Sequence, residues 1–500
     1  MENYLKLQIC TLKVMSSKKT KKNEKDVGIT VKKSEDIAEW YSQVVLKSGL
    51  ADYAPVKGCM ILKPNGYFIW ERIKEYFNKV LNKRGVRNAY FPMFIPESFF
   101  IREARHAEGF SPEVAWIERK EKNDLRLAIR PTSETIIYDS YSKWVRSWRD
   151  LPLRINQWCN IVRWETNAVK LLLRSREFLW HEGHCVYGTE NECREETLIF
   201  LDEYAKLCKD LLAIPVIKGQ KTEKEKFAGA VNTYAIESLM PDGKTIQLGT
   251  THYLGQNFAK AFDITFLGKD GEQHYVYQNS FGFSTRLIGA VVLTHSDDKG
   301  LVLPPKIAPV QIRIVPIYKE KNKEKILNAV EKVKSLLEDK FRVDVDLSDN
   351  TPGWKFNQSE LLGIPVRIEL GQKDLDNNVV TFVRRDTLVK ETYAIDDSLP
   401  DRLLDLMNQI HKDLYKRAQK RIDKHTIKTT NIVDAIEKIN HGNWALVPFC
   451  GEVLCEENLK EKTDGITTRV IPFEQPEENG VKCLCCGKNA KYWVIISRAY

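Results

Sequence analysis

Five short segments, met in a fixed order, constrain this 500-residue chain more than anything else in it. The first two are Arg130-Pro131-Thr132-Ser133-Glu134 and Arg163-Trp164-Glu165. Arg174-Ser175-Arg176-Glu177-Phe178-Leu179-Trp180-His181-Glu182-Gly183-His184 follows. Gln247-Leu248-Gly249-Thr250-Thr251-His252 and Asn279-Ser280-Phe281-Gly282-Phe283-Ser284-Thr285-Arg286 complete the series. Arg163, Arg174 and Arg286 stand among short hydroxyl, carboxylate and aromatic residues. Guanidinium forks grip phosphate oxygens in pairs and stay charged at any cellular pH. Aromatic side chains wall an apolar pocket, and a few polar groups orient what it holds. The mixture suits a polyanion beside a small, mostly apolar ligand.

The bulk numbers leave room for such a site but do not point to it. Five hundred residues exceed one ordinary core, so two to four domains are expected. A composition of 43% hydrophobic and 29% charged residues is that of an ordinary globular protein. No apolar run approaches the ~20 residues of a membrane span. The N-terminus also lacks the charged start and continuous apolar stretch of a signal peptide. A cytoplasmic protein without a membrane partner is the expectation. The net charge of +9 is mostly local: residues 1–33 hold nine lysines against Glu2, Glu24 and Asp26, which leaves +3 for the other 467 residues. Lys18, Lys19, Lys21, Lys22 and Lys25 read as a disordered, solubilising tail that could add nonspecific affinity for RNA phosphates. Met15 precedes these lysines and is an alternative start.

Helical spacing marks residues 34–48, and again Ile69, Ile73, Phe77, Val80 and Leu81 up to Gly85. Residues 86–95 read as a strand interrupted by Pro92 and bounded by Pro96. About sixty residues of ordinary helix–strand pattern separate His184 from Gln247. Pro304, Pro305 and Pro309 mark a linker. Beyond it, strands at 310–316 and 342–347 flank a helix near 322–340, and Val366–Leu370 and Val379–Arg384 add strands to an α/β domain. A long helix is expected near 400–428. Lys412, Lys416, Lys420, Lys424 and Lys428 recur there every four residues, with Arg417 and Arg421 alongside, so the charges stack on one face. Like charges at that spacing disfavour a helix, and an anionic partner would offset the cost. The plainer alternative is a solvated stripe opposite Leu406, Ile410 and Leu414.

Eleven cysteines in a chain of this kind do not suggest a disulfide framework. Cys450 and Cys455, then Cys483 and Cys486, form two pairs about thirty residues apart. That spacing fits a structural, four-thiolate zinc site, with metal-free reduced cysteines as the alternative.

Taken together, the five segments resemble the catalytic domain of class II aminoacyl-tRNA synthetases, specifically prolyl-tRNA synthetases of the eukaryotic and archaeal type. The resemblance runs from about residue 36 to residue 500. It implies a multidomain α/β and α+β chain: an antiparallel-sheet catalytic domain at 34–305, an α/β anticodon-binding domain at 306–405 and a zinc-binding-like domain at 406–500. The tail at 1–33 precedes them. The strand at 86–95 resembles the family's dimer-interface motif, which implies a homodimer. The interval after His184 has no room for the editing insertion of bacterial members. Gly353-Trp354-Lys355-Phe356, Gly371-Gln372-Lys373-Asp374 and Val383-Arg384-Arg385-Asp386 resemble parts of the family's anticodon-binding domain.

The implied activity joins L-proline to ATP as prolyl-adenylate and pyrophosphate, then transfers the prolyl group to the 3′-terminal adenosine of tRNA(Pro). Arg163 is similar to the arginine bridging α-phosphate and carboxylate, Arg286 to the one at the outer phosphates, and Arg174 to a further phosphate ligand. ATP binding is also implied for Glu165, Gln247 and Thr250, with Mg²⁺ on the phosphates and Glu165 or Glu237 as its acidic candidates. Thr132 and Glu134 suit proline's ammonium by charge-assisted hydrogen bonding. Phe178 and Trp180 would wall its ring, while Glu182, His184, His252 and Ser280 complete the pocket. His181, Phe281 and Phe283 depart from the family pattern, which puts affinity or inhibitor response in doubt but not the reaction. The family's second cysteine pair is often Cys-x-Cys, so Cys485 competes with Cys486 as fourth zinc ligand. A threonyl enzyme is disfavoured because Thr132-Ser133 stands where that family has a zinc-binding cysteine. A catalytically dead paralogue is disfavoured because all three arginines are present.

Overall fold

The computed structural model describes residues 28–104, 113–121, 123–164, 169–478 and 480–500. Most of the basic tail, and Glu165, fall outside them. Residues 28–33 pack on the body of the protein: the half-buried Lys33 donates to the carbonyls of Leu293 and Ser296, at 2.7 and 2.9 Å.

Helix α1 (Ile37–Lys47) starts where the Asp36 carboxylate accepts the Ala38 and Glu39 amides, and it buries Trp40, Tyr41, Val44 and Val45. Helix α2 (Pro64–Lys83) has proline in its first turn, buries Ile69, Ile73, Phe77 and Leu81, and ends before Gly85. Both lie against an eight-stranded sheet. Seven of its strands are β1 (Arg87–Asn88), β2 (Leu153–Val162), β3 (Glu177–Tyr187), β4 (Ile217–Gln220), β5 (Asn232–Leu239), β6 (Thr245–Gly255) and β7 (Tyr277–Ser284). The spatial order is β4-β5-β6-β7-β3-β2-β1, with Ile471–Pro472 from far along the chain added outside β4. Every neighbouring pair is antiparallel except β1 with β2. Helices α3 (Glu134–Trp144), α4 (Glu190–Asp210) and α5 (Arg286–His295) complete this domain's frame, and residues 287–295 of α5 are all buried.

The strand expected at 86–95 is two short pieces in different sheets. β1 pairs with β2, whereas Phe94–Pro96 pairs with Leu127–Ile129. Pro92 between them has no amide to donate to a ladder, so the chain crosses from one sheet to the other there.

The second domain orders β8 (Ile312–Pro316), β9 (Val343–Val345), β10 (Val366–Leu370), β11 (Val379–Arg384) and β12 (Lys390–Ala394) as β9-β8-β10-β11-β12. Its first three strands are parallel. Helices α6 (Lys323–Leu337) and α7 (Pro352–Leu361) make the crossovers, as parallel pairing requires. Helix α8 (Leu399–His425) buries Leu403, Leu406, Ile410, Leu414, Ala418 and Ile422 along one seam. Opposite, Lys412, Lys416, Lys420 and Lys424 are exposed. The expected basic stripe is otherwise reduced. Arg421 turns inward to the Thr294 carbonyl, Arg417 pairs with Asp386, and Lys428 lies past the helix end and pairs with Glu478.

The last region carries β13 (Thr426–Lys428), β14 (Trp444–Phe449), β15 (Thr467–Thr468), β16 (Ile471–Pro472) and β17 (Tyr492–Ser497), ordered β13-β14-β17-β15. β16 leaves that sheet to become the outer strand of the eight-stranded one.

Candidate active site

Strand periodicity gathers the site. On β3, Phe178, Trp180, Glu182 and His184 alternate with Leu179, His181, Gly183 and Cys185, so the first set shares one face. Register then aligns two rows across the sheet. Gln157, Glu182, Gly282 and Thr250 stand side by side on β2, β3, β7 and β6; Ile155, His184, Ser280 and His252 form the next row. Gly282 leaves the first row without a side chain between Glu182 and Thr250. That gap lies in an open cleft of about 650 Å³ bounded by Glu134, Arg163, Trp180, Glu182, His184, His252 and Ser280.

Two buried carboxylates hold one wall. Glu182 accepts Gln157 Nε2 at 2.9 Å, His184 Nε2 at 3.0 Å and the hydroxyl of Ser133. Burial opposes its ionisation, but those donors and the His184 charge hold the carboxyl below its ordinary value. The same pair works on His184: burial disfavours the imidazolium, yet Glu182 and Glu134 raise its pKa above that of a free histidine. Tyr138 OH lies 3.1 Å from the other ring nitrogen. Glu134 has fewer partners, with Thr132 donating its hydroxyl to it. Burial, aided by the Glu182 charge, raises the Glu134 pKa against the pull of His184. Glu134 is therefore a poorly compensated anion facing the cleft. His252 is the opposite case: burial, with the nearby His184 charge, pushes it down to about 3, and it is a neutral partner of Thr233 at 3.0 Å.

Arg163 and Arg286 border this cleft and also a second one of about 560 Å³, which Arg174 lines with Ser175 and Thr285. The Arg163 guanidinium sits 5.7 Å from the rings of both Phe178 and Trp180, a cation over two aromatic faces. Those rings meet edge to face at 6.3 Å. Arg286 opens α5 and donates to the carbonyls of Leu173 (3.1 Å) and Gln247 (3.4 Å). Burial, and after it the charge of Arg163, lowers its pKa to about 10. Two crowded guanidinium groups of this kind are an electrostatic demand for an anion.

The structure thus brings Thr132, Glu134, Arg163, Arg174, Phe178, Trp180, Glu182, His184, Gln247, Thr250, His252, Ser280 and Arg286 around two adjoining clefts. Glu165 lies outside the described residues. Glu237 is not among the residues bordering either cleft: Lys221 at 2.6 Å and Arg469 at 3.0 and 3.2 Å pair with it in a buried cluster. His181, Phe281 and Phe283 lie on the far face of the sheet. His181 packs 4.2 Å from the Phe283 ring and Phe281 stacks on Phe200 at 3.8 Å, so the three rings form one core unit, while the Phe281 and Phe283 positions also border the cleft. Sequence reading did not assign Ser133, Gln157 or Gly282. The available signal was Asn156-Gln157, two adjacent uncharged polar residues that are fully buried inside a strand.

Away from the clefts, the sulfurs of Cys450, Cys455, Cys483 and Cys486 all lie within 4.8 Å of one another. Cys485 is not in the group, so the geometry favours Cys-x2-Cys over Cys-x-Cys. Sulfur pairs at 3.5 and 3.7 Å match thiolates around a tetrahedral ion, whose Zn–S bonds are about 2.3 Å.

An antiparallel sheet with motif arginines at its open face, an appended α/β domain and a third, cysteine-bearing domain define a class II aminoacyl-tRNA synthetase. The chain matches the tRNA synthetase class II core domain (G, H, P, S and T) over residues 116–295. It matches the anticodon binding domain over 311–403 and the C-terminal domain of prolyl-tRNA synthetase over 432–500. It is 48% identical over 481 residues to proline–tRNA ligase 2 of Bacillus cereus, covering 95% of this chain and 100% of that protein. Proline–tRNA ligase of Clostridium novyi is 48% identical over 483 residues, covering 96% and 100%. For proline–tRNA ligase 2 of Clostridioides difficile the values are 46% over 489 residues, 96% and 100%. The chain belongs to the proline–tRNA ligase family.

Proposed function

We propose that this enzyme activates L-proline with ATP and transfers the prolyl group to the 3′-terminal adenosine of tRNA(Pro), acting as a cytoplasmic homodimer. The observation that carries the reading is a pair of buried carboxylates, Glu134 and Glu182, facing a cleft that shares Arg163 and Arg286 with a second, arginine-lined cleft. A proline ring fits over Gly282 between the aromatic wall and His252. Its ammonium is met by Glu134, whose charge is otherwise poorly compensated, and Glu182 is locked by Ser133, Gln157 and His184. Arg163 then stands where the proline carboxylate and the α-phosphate would meet. It offsets their repulsion and stabilises the charge that grows on the five-coordinate phosphorus. Arg286 and Arg174 take the outer phosphates, which leave as pyrophosphate. Gln247 and Thr250 line the nucleotide's side of the cleft. No covalent enzyme intermediate is required, because ATP supplies the leaving group.

Mg²⁺ brought with ATP would supply neutralisation of phosphate charge and would be held mostly by substrate and water. The cysteine group suits zinc: Cys450, Cys455, Cys483 and Cys486 would occupy all four positions, leaving none for substrate, so the ion would be structural.

The test is amino-acid-dependent ATP–pyrophosphate exchange with proline, threonine, alanine, histidine and glycine in separate reactions. Strong exchange with proline above the other four is expected. Silence with all five, from folded protein that still binds tRNA, would overturn the reading.

A further inference from the structure

Arg286 is the first residue of α5, and the far end of that helix is where the anticodon-binding domain is fastened. Cations from three other parts of the chain converge on that end. Lys33 donates to the carbonyls of Leu293 and Ser296. Arg421 of α8 donates to the Thr294 carbonyl at 3.2 Å. Arg385, just past β11, makes a two-pronged pair with the Asp297 carboxylate at 2.8 and 2.5 Å. A helix C-terminus carries unpaired carbonyls and partial negative charge, which draws cations to it, and here the crowding is tight: burial, and after it the Arg421 charge, lowers the Lys33 pKa to about 7.

Arg385 is only 3% exposed, and its remaining Nε donates at 2.8 Å to the carbonyl of Glu360 at the end of α7. Lys299 bonds the Glu360 carboxylate at 2.8 Å, and the Leu301 amide bonds the Leu361 carbonyl at 3.1 Å. The backbones approach so closely that a Cβ on Gly300 would lie 2.5 Å from Leu361 Cα, and one on Gly363 2.5 Å from Leu301 Cβ. Helices α5 and α7 are thus joined C-terminus to C-terminus with no slack. Each has ten residues, hence a length of about 15 Å. The free end of α7 presents Trp354, 39% exposed, on the surface of the anticodon-binding domain. The free end of α5 presents Arg286.

We propose that Asp297 and Arg385 form a positioning pair that couples RNA bound at the α7 end of the anticodon-binding domain to the placement of Arg286 at the outer phosphates. This rests on the proposed proline–tRNA ligase activity. Because α5 is buried along its length, a shift at Asp297 moves the helix as a unit instead of bending it. A continuous contact path is not by itself coupling, so the test reads the coupling directly.

The experiment measures the ATP KM in proline-dependent pyrophosphate exchange, with and without a separate anticodon stem–loop RNA cut from tRNA(Pro). The intact protein is expected to change its ATP KM by about 5-fold or more when the stem–loop is bound, with the proline KM unmoved. In Asp297→Asn the basal exchange and the stem–loop Kd should persist while the response disappears. Asp297→Glu, which keeps the charge, should restore part of it and also guards against a misfolded Asn variant. An unresponsive intact protein with normal exchange would overturn the coupling, as would an Asp297→Asn protein that responds fully. Absence of exchange in the intact protein would instead overturn the activity itself.

Discussion

Glu134 and Glu182 show how two identical side chains, both buried in one site, take opposite roles. Glu182 is given enough donors to stay ionised, whereas Glu134 keeps a raised pKa because burial outweighs its single hydroxyl partner. A raised carboxyl in the folded state binds its proton more tightly than in the unfolded chain. Ionising it therefore costs stability at pH values above its folded pKa, and the cost fades as pH falls through that range. In the proposed reading, bound proline would relieve it by supplying an ammonium. The proline KM should accordingly be flat at alkaline pH and rise as acidification protonates Glu134. Glu134→Gln should flatten that profile and raise the proline KM by about 10- to 100-fold, the range for a hydrogen bond to a charged group, with the ATP KM nearly unchanged. Steady-state exchange kinetics against pH would check both. At this scale much was legible in the sequence, because a carboxylate or guanidinium announces its chemistry by residue type. Ser133 and Gln157 were not, since a serine or glutamine has many uses and only the cross-strand register of Gln157 and the docking of the start of α3 reveal that these two restrain Glu182.

Among the elements, β3 and β7 do most to build the pocket, and they do so by what β7 omits. A Cβ on Gly282 would sit 2.8 Å from the His181 carbonyl, so Gly282→Ala must displace the backbone of β3 as well as intrude on the pocket. We expect a loss of about 1–3 kcal/mol in stability and a proline KM raised more than the ATP KM, read by thermal melts and exchange assays. Helix α8 is the second case. Its four exposed lysines carry no ion pair among the described residues, unlike Arg417 and Lys428. Replacing all four by alanine should lower the salt dependence of tRNA binding, by about 0.7–0.9 in logarithmic slope for each phosphate no longer neutralised, and leave exchange without tRNA intact. An unchanged slope would assign the stripe to solvent. Periodicity found α8 and its apolar seam but could not tell that Arg421 turns inward, because position 421 borders both faces. The divided strand at 86–95 escaped for a similar reason: extended backbone looks alike in sequence whichever sheet it joins.

For the whole molecule, the cysteine group would become a tie within the C-terminal region on binding zinc, and Cys450 and Cys455 belong to that region's apolar core. Cys486→Ser should lose bound zinc and melt at a lower temperature, while Cys485→Ser should retain the metal; elemental analysis with thermal melts separates them. That region also contributes β16, the outer strand of the catalytic sheet, and Gly219 lies so close to the Ile471 backbone that a side chain there has no space. The order of synthesis gives this arrangement a price in time. β4 leaves the ribosome about 250 residues before its neighbour exists, roughly 10–50 s at about 5–20 residues per second. Throughout that interval the nascent catalytic sheet presents a bare edge of backbone donors and acceptors, open to pairing with any extended chain nearby. A message truncated before residue 471 would make that condition permanent.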